Sequence, residues 1–456
     1  ASRSAQRYGV NTGYGDSCTT AVPPELLAEL PAQLVRYHGC GLGRNLDPDE
    51  TRAVLLARLV SLAKGCSAVR WELLEALAGL LNAGVLPRIP AEGSVGASGD
   101  LTPLSYVAAL LMGERETLDG RPAREALEAA GLAPLVLAPK EGLALMNGTA
   151  VMTGLGSLAF LRAARLSRLA CRLTALAVAA TRGNRDHFHP RLFEMKPHAG
   201  QQAAAARIRA DLAGPLDPPG LHRLQDRYSL RCAPHVVGVL EDALAWIRRD
   251  LENELDSAND NPLFDPEAGL LLHGGHFYGG HVAFAMDGLK AAVASVADLL
   301  DRQLALMVDP RYSHGLPANL TGAVGARQAI NHGLKAVQIA SSAWTAEALK
   351  LTLPAASFSR STESHNQDKV SLGTLAARDA LRVLELTEQV AAGHALACAQ
   401  GLRLRAAQGE DAAARLSQEA QGFAASLPVL GEDAPLDGVL AGLCTRFRTE
   451  AWSPQP

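Results

Sequence analysis

The sequence predicts an all-α protein, and three observations carry that expectation. Hydrophobic residues make up 48% of the 456-residue chain while aromatic residues make up 4%, so the apolar content is largely alanine and leucine, which favour helix. Alternation of apolar and polar residues at period two, the mark of half-buried strands, is hard to find anywhere. The later part of the chain carries apolar stripes at helical spacing, several of them longer than twenty residues, as in an elongated antiparallel bundle.

Taken in order, residues 23–42 read as the first helix. Asp47 opens the next: it is an N-cap residue followed by Pro48, Asp49 and Glu50, ahead of Ala53, Leu55, Leu56 and Leu59 at helical spacing. Further helices are expected at 67–82 and 104–113, the latter behind Asp100, which can cap free backbone N–H groups, and Pro103, which a first turn tolerates. Residues 117–139 carry a short helix and turns, and 140–149 lead into a long helix ending near Thr181. The Pro-, Gly- and His-rich loop at 182–202 is the expected boundary, giving an N-terminal domain over 1–200 and a helical bundle over 201–456. Bundle helices are expected at 201–212, 234–255, 281–307, 322–351 and 373–402.

A formal charge of −4 with no basic block argues against a nucleic-acid surface. The 7 cysteines are scattered and odd in number, which argues against a disulfide framework or zinc site; a reducing cytoplasm fits best. The uncharged run at 142–161 contains Asn147, Thr149, Thr153, Ser157 and several glycines, and reads as buried core, not as a membrane span. His273, His276 and His281, like His187 and His189, have spacings a metal could use, but no carboxylate or cysteine pattern supports them, and no metal is expected.

The stretch at 93–108, Gly-Ser-Val-Gly-Ala-Ser-Gly-Asp-Leu-Thr-Pro-Leu-Ser-Tyr-Val-Ala, is by composition a Gly/Ser loop before a helix. It also resembles the Ala-Ser-Gly segment of the aromatic amino acid ammonia-lyases and aminomutases, the histidase-like family. Further motifs extend the resemblance in family order: Tyr8-Gly9-Val10-Asn11-Thr12-Gly13-Tyr14-Gly15, Asn147-Gly148-Thr149, Gln225-Asp226-Arg227-Tyr228-Ser229-Leu230-Arg231, Asp260-Asn261-Pro262-Leu263, Gly274-Gly275-His276-Phe277-Tyr278-Gly279 and Glu363 to Gln367. The chain departs from the family at His276, where Asn is usual.

The resemblance implies a histidase-like fold in which the N-terminal portion bears a methylidene-imidazolone electrophile (MIO). This group would form autocatalytically from Ala97-Ser98-Gly99, the Gly99 nitrogen attacking the Ala97 carbonyl and Ser98 losing water, with no metal and no pyridoxal phosphate. Removing ammonia from an amino acid needs an electrophile for the nitrogen, a base for the β-hydrogen and an anchor for the carboxylate. The resemblance gives the base role to Tyr8, whose ordinary pKa near ~10 must be lowered by its surroundings for work near neutral pH. It gives the anchor to Arg231, since guanidinium holds carboxylate bidentately. Tyr228 would assist proton handling, with Gln225 close by; Asn147 and Asn261 would orient substrate, and Phe277 would pack beside the electrophile.

Substrate choice is expected to rest on Tyr37 and His38, with Gln367 and Glu363. In the family this pair is Phe-Leu in phenylalanine enzymes, His-Leu in well-known tyrosine enzymes and Ser-His in histidine enzymes; Tyr-His matches none. Two polar side chains at the ring end suit a ring bearing a hydroxyl or nitrogen, because an apolar pocket would leave such a group unpaired at roughly 1–3 kcal/mol. Histidine-specific members generally carry Glu where this chain has Gln367. Aminomutases, and some tyrosine lyases, often carry Asn at the place of Glu363, so Glu favours simple elimination. The ranking is therefore L-tyrosine to trans-p-coumarate first, histidine to urocanate second, and tyrosine 2,3-aminomutation as a further alternative. An inert structural homologue and a metal-binding helical protein are the readings from other classes. The resemblance also implies a homotetramer whose active sites are shared between subunits.

Overall fold

The structure, a computed structural model, describes residues 6–213 and 223–449. In chain order its first elements are α1 (Leu30–Tyr37), β1 (Leu42–Asn45), α2 (Pro48–Ala63), α3 (Trp71–Ala83), β2 (Pro90–Glu92), α4 (Leu101–Leu111), α5 (Ala123–Ala129), α6 (Glu141–Met146) and α7 (Ala150–Ala180). There follow α8 (Pro190–Glu194), α9 (Ala199–Asp211), α10 (Tyr228–Arg231), α11 (Ala233–Leu255), β3 (Leu263–Asp265) and β4 (Leu270–Leu272). The chain continues with α12 (Gly280–Val308), α13 (Lys335–Lys350), α14 (Gly373–Ala407), α15 (Gln418–Ala425) and α16 (Asp437–Thr449). The all-α expectation is met by a fold whose long helices are α7, α11, α12 and α14.

Two compact units are each assembled from separate stretches of sequence: Ala1–Ala159, Arg248–Asp287 and Pro354–Leu381 form the first, and Phe160–Ile247, Gly288–Leu353 and Arg382–Pro456 the second. The boundary expected at residue 200 falls inside α9, within the second unit.

In the first unit, α2 starts as its sequence says. Asp47 accepts from the Glu50 amide at 2.8 Å and Glu50 returns the bond to the Asp47 amide at 2.9 Å, a reciprocal capping box. The first helix is shorter than expected, because Pro24 begins a 3₁₀ turn and the chain leaves helix at His38 to enter β1. β1 pairs antiparallel with β2, and β3 with β4. These strands are three or four residues long, too short for alternation to register in the sequence.

Asp100 does not cap α4. Its buried carboxylate instead accepts from Ser94 Oγ at 2.9 Å, from Thr374 Oγ1, and from the Met152 amide in the first turn of α7 at 2.9 Å. It thereby ties the 93–100 loop to the starts of α7 and α14. Burial raises its pKa and these hydrogen bonds oppose the rise.

Arg58 of α2 is fully buried and donates to the carbonyls of Asn259, at 3.0 Å, and Ala144. Burial lowers its pKa to about 10, which leaves it charged at neutral pH. It packs closely on Gly148, where an added Cβ would lie 2.0 Å from Arg58 Nη1. Arg58→Met fits the space but strands two buried carbonyls, and is expected to lower stability by about 2–5 kcal/mol. Urea unfolding at neutral pH measures this; a loss under about 1 kcal/mol would contradict it.

In the second unit, α9 lies close on α11: a Cβ on Gly200 would stand 2.1 Å from the Gly238 carbonyl oxygen. Buried charges there are paired, Glu388 holding both Arg162 (2.8 Å) and Arg448, and Asp211 holding Arg172 (3.1 Å). Among the described residues no helix is long and apolar enough to cross a membrane.

Candidate active site

A cavity of about 870 Å³ opens on the first unit, and it gathers most of the residues singled out in the sequence. Tyr8, Tyr37, His38, Ala97, Ser98, Gly99, Asn147, Asn261, Phe277, Glu363 and Gln367 all line it. They arrive from an N-terminal loop, the end of α1, the loop before α4, the end of α6, the segments flanking the β3–β4 hairpin and the loop before α14.

The Ala97-Ser98-Gly99 stretch is held on both sides. Ala97 is buried against Val370 and Leu372, and the amides of Ser371 and Leu372 donate to the carbonyls of Gly96 (3.2 Å) and Val95 (3.0 Å). Gly99 sits at φ +69, where a Cβ would meet the Gly148 oxygen at 2.1 Å, so no other residue fits. Ala97 and Gly99 are buried, whereas Ser98 is half-exposed and accepts a hydrogen bond from Gln367 Nε2 at 3.2 Å. Gln367 therefore lies against the serine. Its Oε1 accepts from Thr362 Oγ1 at 3.0 Å.

Tyr8 Oη accepts from the Gly15 amide at 2.9 Å, and the next amide, Asp16, donates to Glu363 Oε1 at 2.8 Å. Gly15 has φ +57 and a Cβ there would fall 1.7 Å from Glu363 Oε1, so glycine is required for this approach. Burial raises the Tyr8 pKa, the Gly15 amide pulls it down, and the Glu363 carboxylate adds to the rise. The lowering expected for a base is thus not supplied by these groups, which come from one chain. Tyr14 and His273 stand edge-on to the Tyr8 ring, each 6.4 Å between centroids. Sequence reasoning passed over Tyr14 although it lies in the same motif, and weighed His273 for metal alone.

Residues 361–368 form no helix. Glu363, Ser364 and His365 all have positive φ, and Thr362 and Gln367 pair across the turn, so Glu363 is presented from a tight loop. Also in the cavity lining, Tyr37 stacks on His38 at 4.3 Å between centroids. His38 Nδ1 lies 3.0 Å from the Leu34 carbonyl and burial lowers its pKa. The neutral ring must therefore donate through Nδ1–H and keep Nε2 as an acceptor.

Asn147 is buried. Its Nδ2 donates to Asp260 Oδ1 (3.2 Å) and the Asn261 carbonyl (2.8 Å), while its Oδ1 has no partner among the described residues. Lys140 pairs with the other Asp260 oxygen at 2.6 Å. Asn261 Oδ1 accepts from the Gly274 amide at 2.9 Å, which positions the loop leading to Phe277. Among the described residues no group of three or more His, Cys, Asp and Glu side chains could hold a metal ion.

The sequence matches the family described as aromatic amino acid lyase over residues 1–425. The chain belongs to that family. It is 42% identical over 405 residues to a histidine ammonia-lyase of Aromatoleum aromaticum, covering 88% of this chain and 76% of that protein. It is 38% identical over 463 residues to a tyrosine ammonia-lyase of Cereibacter sphaeroides, covering 96% and 88%. A crystal structure of tyrosine aminomutase from Streptomyces globisporus superimposes with a TM-score of 0.89 at 37% identity, covering 97% of this chain and 88% of that one. The protein is accordingly an aromatic amino acid lyase in the broad sense, a carbon–nitrogen lyase of helical fold.

For an aromatic amino acid lyase, the cavity lining of the first unit omits three expected groups. Gln225, Tyr228 and Arg231 are in the second unit and are not among its lining residues. Tyr228 is 72% exposed. Arg231 donates through Nε to the Asp226 carbonyl at 2.9 Å, and its guanidinium lies 4.6 Å from the Tyr228 ring centre.

Proposed function

We propose that the cavity deaminates an aromatic L-amino acid without oxidation, converting L-tyrosine to trans-p-coumarate and ammonia, on an MIO group made from Ala97, Ser98 and Gly99. The observation that carries this reading is the convergence of Tyr8, Ser98, Asn147 and His38 on one cavity. The residues suit the group: position 99 admits glycine alone, Ser98 is the half-exposed member of the three, and Asn147 Oδ1 is a buried acceptor without a partner. The group supplies an electrophile for the amino nitrogen. No metal or pyridoxal phosphate enters the proposal.

The chain's own residues do the rest. Tyr8 Oη takes the β-proton, and the Gly15 N–H steadies the phenolate. Asn147, its Nδ2 committed to Asp260 and Asn261, offers Oδ1 to an N–H of the substrate. The Asn261 side chain, fixed by Gly274, holds the loop that sets Phe277 against the ring. Arg231 takes the carboxylate bidentately, with Tyr228 and Gln225 beside it, and we propose that a second copy in a homotetramer brings them. Residence in the cytoplasm accords with seven free cysteines.

His38 Nε2 gives the ring end a fixed acceptor, which a tyrosine hydroxyl satisfies and a phenylalanine ring leaves unpaired. An imidazole N–H satisfies it too, and the histidine ammonia-lyase relative keeps histidine as the second reading. Gln367 in place of a carboxylate beside Ser98, and Glu363, weigh toward tyrosine and toward elimination over 2,3-aminomutation.

Near-ultraviolet difference spectra of the wild type against Ser98→Ala, with assays on tyrosine, histidine and phenylalanine separately, test the proposal. We expect an absorption band that Ser98→Ala lacks, and a kcat in that variant lower by about 10³-fold or more. Absence of the band together with inactivity of the wild type would leave the inert-homologue reading. Faster turnover of histidine would reverse the ranking, and β-tyrosine among the products would reassign the enzyme as a mutase.

A further inference from the structure

Ser229 lies between Tyr228 and Arg231 in the single turn of α10, and its carbonyl is held from the core. Gln303 of α12 donates to it through Nε2 at 2.9 Å. The second hydrogen of the same amide goes to Thr174 Oγ1 of α7 at 3.0 Å, while the Thr174 hydroxyl donates to the Ala170 carbonyl at 2.8 Å. Both amide hydrogens are then used, and Oε1 is left to accept. It faces His394 Nε2 of α14 at 2.9 Å.

That contact fixes the histidine as its Nε2–H tautomer. His394 is fully buried and burial lowers its pKa to about 3, so the ring stays neutral at any working pH. Cys398 Sγ, 3.7 Å from the same nitrogen, has its own acceptor in the Leu173 carbonyl at 3.5 Å. The amide consequently has one orientation, since turning it over would set its oxygen against the Ser229 carbonyl. Gln303, Thr174, His394 and Cys398 are all fully buried in the second unit. None has a part in the deamination chemistry. Apolar side chains would fill the same volume without the cost of burying polar groups. What apolar side chains cannot do is hold one chosen carbonyl in one direction.

We propose that Gln303, locked in orientation by His394, is a positioning residue that fixes the α10 turn and, through it, the Tyr228 phenol and the Arg231 guanidinium. This rests on the deamination reading, in which those two groups meet the substrate. The two side chains move as one, because the Arg231 guanidinium packs on the Tyr228 ring and its Nε is tied to the Asp226 carbonyl just ahead of the turn. Freeing the Ser229 carbonyl therefore displaces the carboxylate anchor and the phenol together.

Gln303→Met keeps the length and removes every hydrogen bond. Its kcat/KM for the best amino acid substrate should fall about 10²-fold, with KM raised at least about threefold. The Ser98-dependent near-ultraviolet band should stay, because that segment belongs to the first unit. Thr387→Val serves as the control: Thr387 is a fully buried residue of α14 whose hydroxyl bonds the Val383 carbonyl and has no link to Ser229. It should lower the thermal midpoint and leave KM within about twofold.

The proposal is overturned if Gln303→Met keeps wild-type kcat and KM, or if Thr387→Val raises KM equally. If Gln303→Met does not fold, His394→Phe, which removes the lock alone, should raise KM in the same direction, and unchanged KM refutes the idea. Should neither variant fold, hydrogen exchange on the wild type decides: the Arg231 and Cys232 amides should be protected like the body of α11, and exchange at loop rates overturns the proposal. A wild type without deaminating activity and without the Ser98-dependent band sinks the functional reading instead, and leaves the exchange result to stand alone.

Discussion

Tyr8→Phe should lower kcat about 10²–10⁴-fold, the usual worth of a general base. The loss should be in chemistry and not in folding, because the phenol oxygen is bonded to the Gly15 amide of a half-buried loop and not into the core. The pH dependence gives the sharper check. Tyr8 works as a phenolate, so the rate should climb as pH rises through its pKa and fall as pH drops through it. Burial raises that pKa first, the Gly15 amide opposes, and the Glu363 carboxylate adds to the rise. Glu363→Gln keeps an acceptor for the Asp16 amide and removes the charge. The rising limb of kcat/KM should then move to lower pH; a limb that stays put or moves to higher pH would remove Glu363 from the tuning of Tyr8, and full activity in Tyr8→Phe would remove Tyr8 from the chemistry.

Much of this arrangement was legible in the residues, and the illegible part has a physical pattern. The Asp47 box was readable because capping is local: donor and acceptor are three residues apart. Asp100 was misassigned by the same logic. As a residue before a helix it looks like a cap, yet besides Ser94 its partners lie 52 and 274 residues away, and only the tertiary fold shows that it ties α7 and α14 together. The loop at 361–368 has a polar start that by itself would suit a helix, but it takes positive φ at three consecutive residues, with Thr362 paired to Gln367 and Glu363 in contact with the N-terminal loop. The resemblance ties Gln367 to substrate choice; its contact with Ser98 is visible only in the fold. Gln303 had no signal at all: an amide in the middle of an apolar helix carries no motif, and its meaning comes from the carbonyl it reaches.

The other large effect concerns Arg231. The cavity that holds Tyr8 and Ser98 is lined by the first unit, while Arg231 is in the second and is not among the lining residues. A substrate carboxylate in that cavity needs a cation: Lys369 in the lining offers a single-point ammonium, and Lys140 is already paired with Asp260 at 2.6 Å, so a guanidinium that holds carboxylate bidentately has to come from outside the lining. If a second copy brings Arg231, Tyr8→Phe and Arg231→Ala are lesions in different chains of one shared site. Each alone should show under about 1% of wild-type kcat/KM. Co-expressed in equal amounts, they should recover about a quarter of the wild-type rate, since one site in four then pairs an intact Tyr8 from one copy with an intact Arg231 from another. A doubly substituted chain co-expressed with wild type should give no such gain above its share of intact sites. Recovery no greater than the sum of the two single variants would mean that each chain supplies its own anchor, and would overturn the shared site while leaving the chemistry of Tyr8 and Ser98 in place.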